Sequence, residues 1–346
     1  LQINFFWFQL LQESLQPIFV KDYFSISISD TVALHQSENL EGLVIKSTGK
    51  WCDVLGSDQE MVACQIKGKF RMQGIKTTNP LSVGDRVEFE VEEDGTGVIN
   101  EIHERRNYII RKSVNLSKQA HIVAANVDRA FLIVTLASPP TSTGFIDRFL
   151  VTADAYSIPV TIVFNKVDIY NDGENDDMEW MENMYQFCGY DTLRLSALEG
   201  DGLKEVQAAM SDKINMVGGH SGVGKSTLVN RLIPGSEIKT STVSDFHKKG
   251  RHTTTFAEMH ALPFGGWLID TPGIKGLGLV DIPKNELHHH FPEIFRLLPD
   301  CKFHNCLHLT EPGCAVRKAA EATEMPPERY QSYLNMYNED EGPYRV

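Results

Sequence analysis

The chain has 346 residues, 42% hydrophobic and 23% charged, which is enough for two or three domains, each with its own core. A formal net charge of −13 excludes a protein that coats nucleic acid without selectivity, so any RNA contact must come from a locally basic face. Six cysteines without a secretory leader pattern fit a reducing, cytoplasmic setting, where clustered cysteines bind metal more readily than they pair.

Residues 1–38 begin with LQINFFWFQLLQESLQPIFV, the one membrane-like stretch. Gln2, Asn4, Gln9, Gln12, Glu13 and Gln16 interrupt it. It therefore falls short of the roughly 20 predominantly apolar residues of a spanning helix. Within these first residues no Lys or Arg supplies the polar face of an interfacial helix. The segment reads as an N-terminal extension, disordered or outside the natural start, and no membrane partner is expected.

Residues 39–118 read as short strands at 43–45, 51–55, 61–66, 86–91 and 97–102, several of them alternating at period two. Thr48-Gly49, Gly56-Ser57, Asn79-Pro80, Gly84-Asp85 and Asp94-Gly95 punctuate them. Strands of this length and number predict a small closed barrel of the OB type. Lys67, Lys69, Arg71 and Lys76, with Arg105, Arg106, Arg111 and Lys112, are candidates for an RNA-binding edge. Their alternative is a solvated surface.

From about Gln119 the period changes, and residues 119–282 read as a doubly wound α/β domain. Strands at 130–134, 160–164, 193–195 and 214–217 alternate with helices around 146–151, 178–187 and 203–210. Ligands bind such sheets at the carboxyl ends of the strands. GHSGVGKS, residues 219–226, comes after the last of these strands and precedes a helical pattern, the context a phosphate-binding loop requires. Gly219, Gly222 and Gly224 let the backbone curl so that N–H groups of His220, Ser221, Val223 and their neighbours face an anion. Lys225 would reach the β- and γ-phosphates of a nucleotide, Ser226 would sit on Mg²⁺, and Thr227 begins the helix beside them.

The loops ending two other strands read a base. In Asn165-Lys166-Val167-Asp168, the Asp168 carboxylate can accept from guanine N1–H and the 2-amino group, Asn165 can face the O6/N7 edge, and Lys166 can lie along the ring. Ser196-Ala197-Leu198 offers backbone N–H groups to O6. Asn165-Lys166-Val167-Asp168 alone could be a helix-capping turn. On the same sheet as a phosphate loop, it points to GTP. Downstream, Asp270-Thr271-Pro272-Gly273 would hold a Mg²⁺-bound water through Asp270 and meet the γ-phosphate through the Gly273 N–H. Between these elements, the basic stretch 248–255 resembles a switch loop in which Thr254 closes on Mg²⁺.

Ordinary GTPases place the phosphate loop first and the base-reading loops last. This chain reverses that order, as a circular permutation would. The switch after Asp270 then leads through 274–285 into residues 283–346, giving a direct route for nucleotide state to reach that unit. Residues 283–346 read as a mostly helical unit carrying Cys301-x₄-Cys306-x-His308-x₅-Cys314. Three thiols and an imidazole at this spacing make a closed, structural, tetrahedral Zn²⁺ site. His288, His289 and His290 lack ligand spacing and read as a solvated helix face, while Cys52, Cys64 and Cys188 read as core.

Together these motifs resemble the circularly permuted, ribosome small-subunit-dependent GTPase A family (RsgA, also called YjeQ). The resemblance spans about residues 40–335 and rests on NKVD ahead of GHSGVGKS, the GRHTTT loop, DTPG and CKFHNCLHLTEPGCAV. It implies an OB domain, a permuted GTPase domain and a zinc domain in a cytoplasmic, monomeric protein. It further implies binding to the small (30S) subunit and its 16S rRNA, not to DNA, during late maturation. GTP hydrolysis to GDP would be weak alone and stimulated by the subunit. Where many GTPases carry a water-orienting Gln, this chain has Ile274, which cannot orient water, and His252 is the candidate in its place, its alternative being a structural histidine of the basic loop. The alternative is an RNA-binding assembly module that holds GTP as a structural ligand or sensor without turnover.

Overall fold

The computed structural model describes residues 39–49, 51–66, 81–112, 120–235, 257–270 and 282–339. The expectations for residues 1–38, Lys67, Lys69, Arg71, Lys76, His252, Thr254, Gly273, Ile274 and the 274–281 connection lie outside the described residues.

The first five strands are β1 (Leu40–Ser47), β2 (Trp51–Gly56), β3 (Met61–Ile66), β4 (Arg86–Val91) and β5 (Gly97–Ile102). They pair in the order β1-β2-β3-β5-β4, and β4 returns to β1, closing the expected barrel. Alternate residues of each strand point inward, so Val44, Val54, Val87, Phe89 and Ile99 fill the interior.

A second pair, β6 (Tyr108–Lys112) and β7 (Ala120–Ala125), has no counterpart among the strands expected from hydrophobic pattern. The expected domain boundary at 118/119 falls in the connection between these two strands. Polar side chains clasp the pair to the barrel and to the α/β sheet. Ser82 Oγ donates to the Ile122 carbonyl at 2.8 Å, and Asn107 Nδ2 donates to the Val127 carbonyl at 2.8 Å. Arg105, expected on the basic edge, is instead buried against Asp85, donating through Nε and Nη2 at 2.6 Å each. Both side chains are almost fully enclosed, so this guanidinium is a structural ion pair and not an RNA contact. Arg106 pairs with Asp128 at 2.7 Å. Arg111 and Lys112 lie on β6, and their side chains are outside those described.

The α/β elements are β8 (Arg129–Val134), α1 (Thr143–Ala155), β9 (Val160–Asn165), α2 (Asp172–Cys188), β10 (Asp191–Leu195), α3 (Leu203–Met210), β11 (Ile214–Gly218), α4 (Lys225–Leu232), β12 (Glu258–Ala261) and β13 (Trp267–Asp270). Strand order is β10-β9-β8-β11-β13-β12, parallel except for β12. Because the central strands are covered on both faces, they are apolar without alternation. Along β8, Ala130, Leu132 and Val134 face the core under α1 and α2, whereas Phe131 and Ile133 face the core that includes residues of α3 and α4. The start of α2 lies earlier than the hydrophobic pattern implies, because a capping box fixes it. Asn171 Oδ1 accepts from the Glu174 N–H, and Glu174 Oε2 accepts from the Asn171 N–H. Strand β12 meets β1 at Glu258 and Lys46, whose side chains pair at 2.8 Å, so the barrel continues the α/β sheet.

The last unit has a 3₁₀ turn at Leu287–His290, α5 (Pro292–Leu297), α6 (Ala315–Glu321) and α7 (Pro327–Asn338). Helix α1 docks it. Val151 of α1 joins the apolar cluster of this unit, and His290 Nδ1 lies 2.8 Å from Asp154. Arg148 makes a bidentate pair with Glu339 at 2.5 and 2.7 Å. At the centre, Arg329 is fully buried between Asp147 (2.6 Å) and Glu293 (2.7 Å), with its guanidinium 4.7 Å from the Phe291 ring centre. Tyr185 Oη and Ser332 Oγ also donate to Asp147. Arg329→Met is expected to destabilise the fold by about 3–5 kcal/mol, because it leaves two buried carboxylates without their cation. Urea unfolding would show this as a lower midpoint, and an unchanged midpoint would remove the network from the stability account. Among the described residues no helix is long and apolar enough to cross a membrane.

Candidate functional site

The loop after β11 enters α4 with the geometry its glycines allow. Gly219, Gly222 and Gly224 all have positive φ, where a side chain is strained. At Gly224 a Cβ would come within 2.3 Å of Asn165 Nδ2, so only glycine admits the base-reading loop this close. Lys225 Nζ donates to the carbonyls of Gly219 (2.7 Å) and His220 (2.6 Å), which holds its ammonium over the loop. Ser226 and Thr227 lie in the first turn of α4 and are half-buried.

Asn165, at the end of β9, is buried and joins three loops. Its Nδ2 donates to the Val223 carbonyl at 2.7 Å, and its Oδ1 accepts from the Ala197 N–H at 2.9 Å. The residue expected to face the base edge is thus first a brace between the phosphate loop and both base loops. One further N–H of its amide is not used in these bonds. The amides of Ser196 and Ala197 are also satisfied internally, Ser196 N–H by the Asp201 carbonyl at 2.9 Å. Ser196 Oγ accepts from Glu199 N–H at 3.0 Å, which closes the turn. In this arrangement both amides and the Ser196 hydroxyl serve the turn and its brace to Asn165. Lys166 adopts a left-handed backbone and donates from Nζ to the Ser138 carbonyl. Asp168 is exposed on the short 3₁₀ turn next to it, open to a ligand.

His220 keeps its backbone in the loop and commits its side chain elsewhere. Its side chain is turned toward Thr141 and the Ser221 carbonyl, so its contribution to a phosphate falls on the backbone. Motif reasoning also misses the segment between β8 and α1, which carries no nucleotide signature. Tyr170 Oη accepts from Leu136 N–H at 2.9 Å and donates to the Asn165 carbonyl at 2.5 Å, tying that segment to the base loop. Asp270 closes β13, one strand from the phosphate loop, and its side chain is outside those described.

The four ligand candidates in the last unit do converge. The Sγ atoms of Cys301, Cys306 and Cys314 and a ring nitrogen of His308 all lie within 4.8 Å of one another. His308 Nδ1 is 3.7 Å from Cys301 Sγ and 3.4 Å from Cys314 Sγ. A tetrahedral ion with bonds near 2.3 Å has ligand–ligand edges of roughly 3.8 Å, so the cluster fits a closed metal site. Burial pushes the Cys306 thiol up to about 12. The backbone around the ligands is fixed independently. Glu311 accepts from the N–H groups of Leu307, Leu309 and Thr310, while Tyr330 and Tyr333 donate to the carbonyls of His308 and Leu307 at 2.6 Å each. His288 is not on a solvated face as expected. It is buried, with its ring edge-on to His308 at 5.2 Å, because the 3₁₀ turn rolls it inward. Cys52, Cys64 and Cys188 are buried as expected, and burial raises each thiol to about 12.

Comparison with known proteins agrees with this geometry. The RsgA GTPase family model matches residues 102–280, and the RsgA N-terminal domain model matches residues 41–99. A relative from Bacteroides thetaiotaomicron, named small ribosomal subunit biogenesis GTPase RsgA 2, is 52% identical over 308 residues, covering 89% of this chain and 99% of its own. One from Flavobacterium psychrophilum, named small ribosomal subunit biogenesis GTPase RsgA, is 52% identical over 310 residues, covering 89% of this chain and 95% of its own. Among solved structures, YjeQ from Thermotoga maritima superposes with a TM-score of 0.72 at 34% identity, covering 87% of this chain and 98% of that one. YloQ, described as a circularly permuted GTPase, gives 0.72 at 32%, covering 90% of this chain and 99% of that one. With an OB barrel, a sheet whose base loops precede its phosphate loop, and similarity over nearly its whole described length, the chain belongs to the RsgA family of circularly permuted GTPases.

Proposed function

We propose that this GTPase acts in late maturation of the small ribosomal subunit in the cytoplasm, binding the 30S subunit and its 16S rRNA as a monomer and leaving after hydrolysis. The observation that carries the nucleotide part is Asn165, whose two short bonds draw the base loops and the phosphate loop of a permuted sheet into one site. The names of the relatives support the ribosomal part.

In this reading Asp168 selects guanine, with Lys166 along the ring and the Asn165 brace and the Ser196-Ala197 turn shaping the base pocket. Lys225, the N–H groups of 219–227 and the Gly273 N–H stabilise phosphate charge. Ser226, Thr254 and Asp270 hold Mg²⁺, which supplies charge neutralisation at the phosphates. His252 orients or accepts a proton from the attacking water, since Ile274 cannot. A site without a water-orienting Gln is slow until a partner completes it. Cys301, Cys306, His308 and Cys314 hold Zn²⁺ as a structural ion. RNA contact falls to the remaining basic candidates, Lys67, Lys69, Arg71, Lys76, Arg106, Arg111 and Lys112, because Arg105 is used internally.

The test is GTP turnover by the purified protein alone, with isolated small subunits, with large subunits and with free rRNA. Stimulation of about a hundredfold or more by small subunits alone is expected of a partner-completed site. No stimulation by any ribosomal component would overturn the ribosomal role and leave the nucleotide chemistry standing. Stable GTP binding to the subunit without turnover would favour the alternative of GTP as a structural ligand.

A further inference from the structure

Residues 135–142, between β8 and α1, touch the phosphate loop at two points, the base loop at one and Tyr170, just beyond the base loop, at another. Pro139 lies against Gly222, where an added Cβ would stand 3.0 Å from its ring, and Ser138 accepts from Lys166. Thr141 touches the loop through a polar relay. The Thr135 N–H donates to Thr141 Oγ1 at 3.1 Å, and the Thr141 N–H donates back to the Thr135 carbonyl at 2.7 Å. With its oxygen accepting there, the Thr141 hydroxyl is free to donate to His220 Nε2, 2.7 Å away. That assignment leaves the ring proton on His220 Nδ1, which donates to the Ser221 carbonyl at 3.1 Å. Phe145 holds the ring edge-on at 5.5 Å.

We propose that Thr141 is a positioning residue for nucleotide binding, acting through His220 on the phosphate loop. The reason is peptide geometry. In a planar trans peptide the C=O and the next N–H point to opposite sides. Holding the Ser221 carbonyl on the His220 ring therefore aims the Gly222 N–H the other way. Lys225 fixes the Gly219 and His220 carbonyls in the same manner. Each fixed carbonyl removes one peptide flip that would turn a C=O toward an anion. The loop is then organised before phosphate arrives, and the ordering cost at binding falls.

The inference rests on the GHSGVGKS loop as the phosphate site, and GDP binding by the unaltered protein in the same assay tests that premise separately. The experiment measures the Kd of fluorescent GDP and GTP analogues, together with kcat and KM, for Thr141→Val, Thr141→Ser, His220→Leu and the Thr141→Val/His220→Leu pair. Thr141→Val and His220→Leu are each expected to weaken GDP about tenfold, roughly the worth of one hydrogen bond that orders the loop. Their combination should be no weaker than either alone, and Thr141→Ser should restore the original affinity. Preference for guanine over adenine should not move, since the base loop keeps its own bonds. Thr141→Val also strands the buried Thr135 N–H, so if it fails to fold, His220→Leu and Thr141→Ser carry the test. Unchanged GDP affinity in His220→Leu, or effects that multiply in the pair, would overturn the proposal.

Discussion

Asp168→Asn is expected to lower GTP affinity by about 10⁴ and to raise affinity for xanthosine triphosphate. A carboxylate that accepts from the guanine N1–H and 2-amino group becomes an amide, which presents a donor where the base also has donors. Sites built around such a paired group discriminate by roughly 10⁴–10⁵, because the mismatched polar groups are left without partners in a desolvated place. Xanthine replaces the 2-amino group with a carbonyl, which the amide can serve. Asp168 lies exposed on its 3₁₀ turn and forms no ion pair among the described residues, so the exchange should cost little in folding. Competition of each triphosphate against a fluorescent guanine nucleotide measures the switch. Retained GTP selectivity in a folded variant would remove Asp168 as the base reader.

Stripping the metal is expected to unfold the C-terminal unit while the nucleotide domain stays folded. Metal binding contributes roughly 10 kcal/mol or more to units of this kind, more than the apolar cluster of three short helices can replace. The ligands span a segment with little regular structure of its own, from Cys301 to Cys314 at the start of α6. Without a cation, buried neutral thiols and an imidazole crowd one another and the cluster loses its attraction. Chelation followed by limited proteolysis should expose residues after 282, and circular dichroism should report loss of helix. Cys306→Ser should do the same at ordinary metal concentration. A metal-free protein with the same protease pattern and melting point would overturn the structural role. Helix α1 should lose part of its support, since Val151, Asp147 and Arg148 all pack on that unit.

Much of this molecule is legible in its sequence because the determinants are local. The glycines and lysine of GHSGVGKS, the turn signals between barrel strands and the spacing of three cysteines and a histidine each encode their geometry within a few residues. Apolar runs announce β8, β9 and β11, since strands covered on both faces need no alternation. Strands β6 and β7, YIIRK and AHIVAA, carry β-favouring residues, but their pairing with each other is a contact that only the fold settles.

Tertiary structure decided which partner each polar group meets. Arg105 could have been surface charge or half of a buried pair, and only the fold brings it to Asp85. His288 could have been solvated, and only the inward roll of its turn sets it beside His308. Asn165 has the motif position of a base contact, but its first bonds go to two other loops, 58 and 32 residues away in sequence. The Asp147–Arg329 pair joins residues 182 apart, and no local pattern encodes a contact at that separation. Sequence alone determined the chemistry available to this protein, because side-chain type and short-range spacing are local properties. The fold decided which of those groups are left free for a ligand, because hydrogen bonds and ion pairs are claimed by whatever the chain brings within about 3 Å.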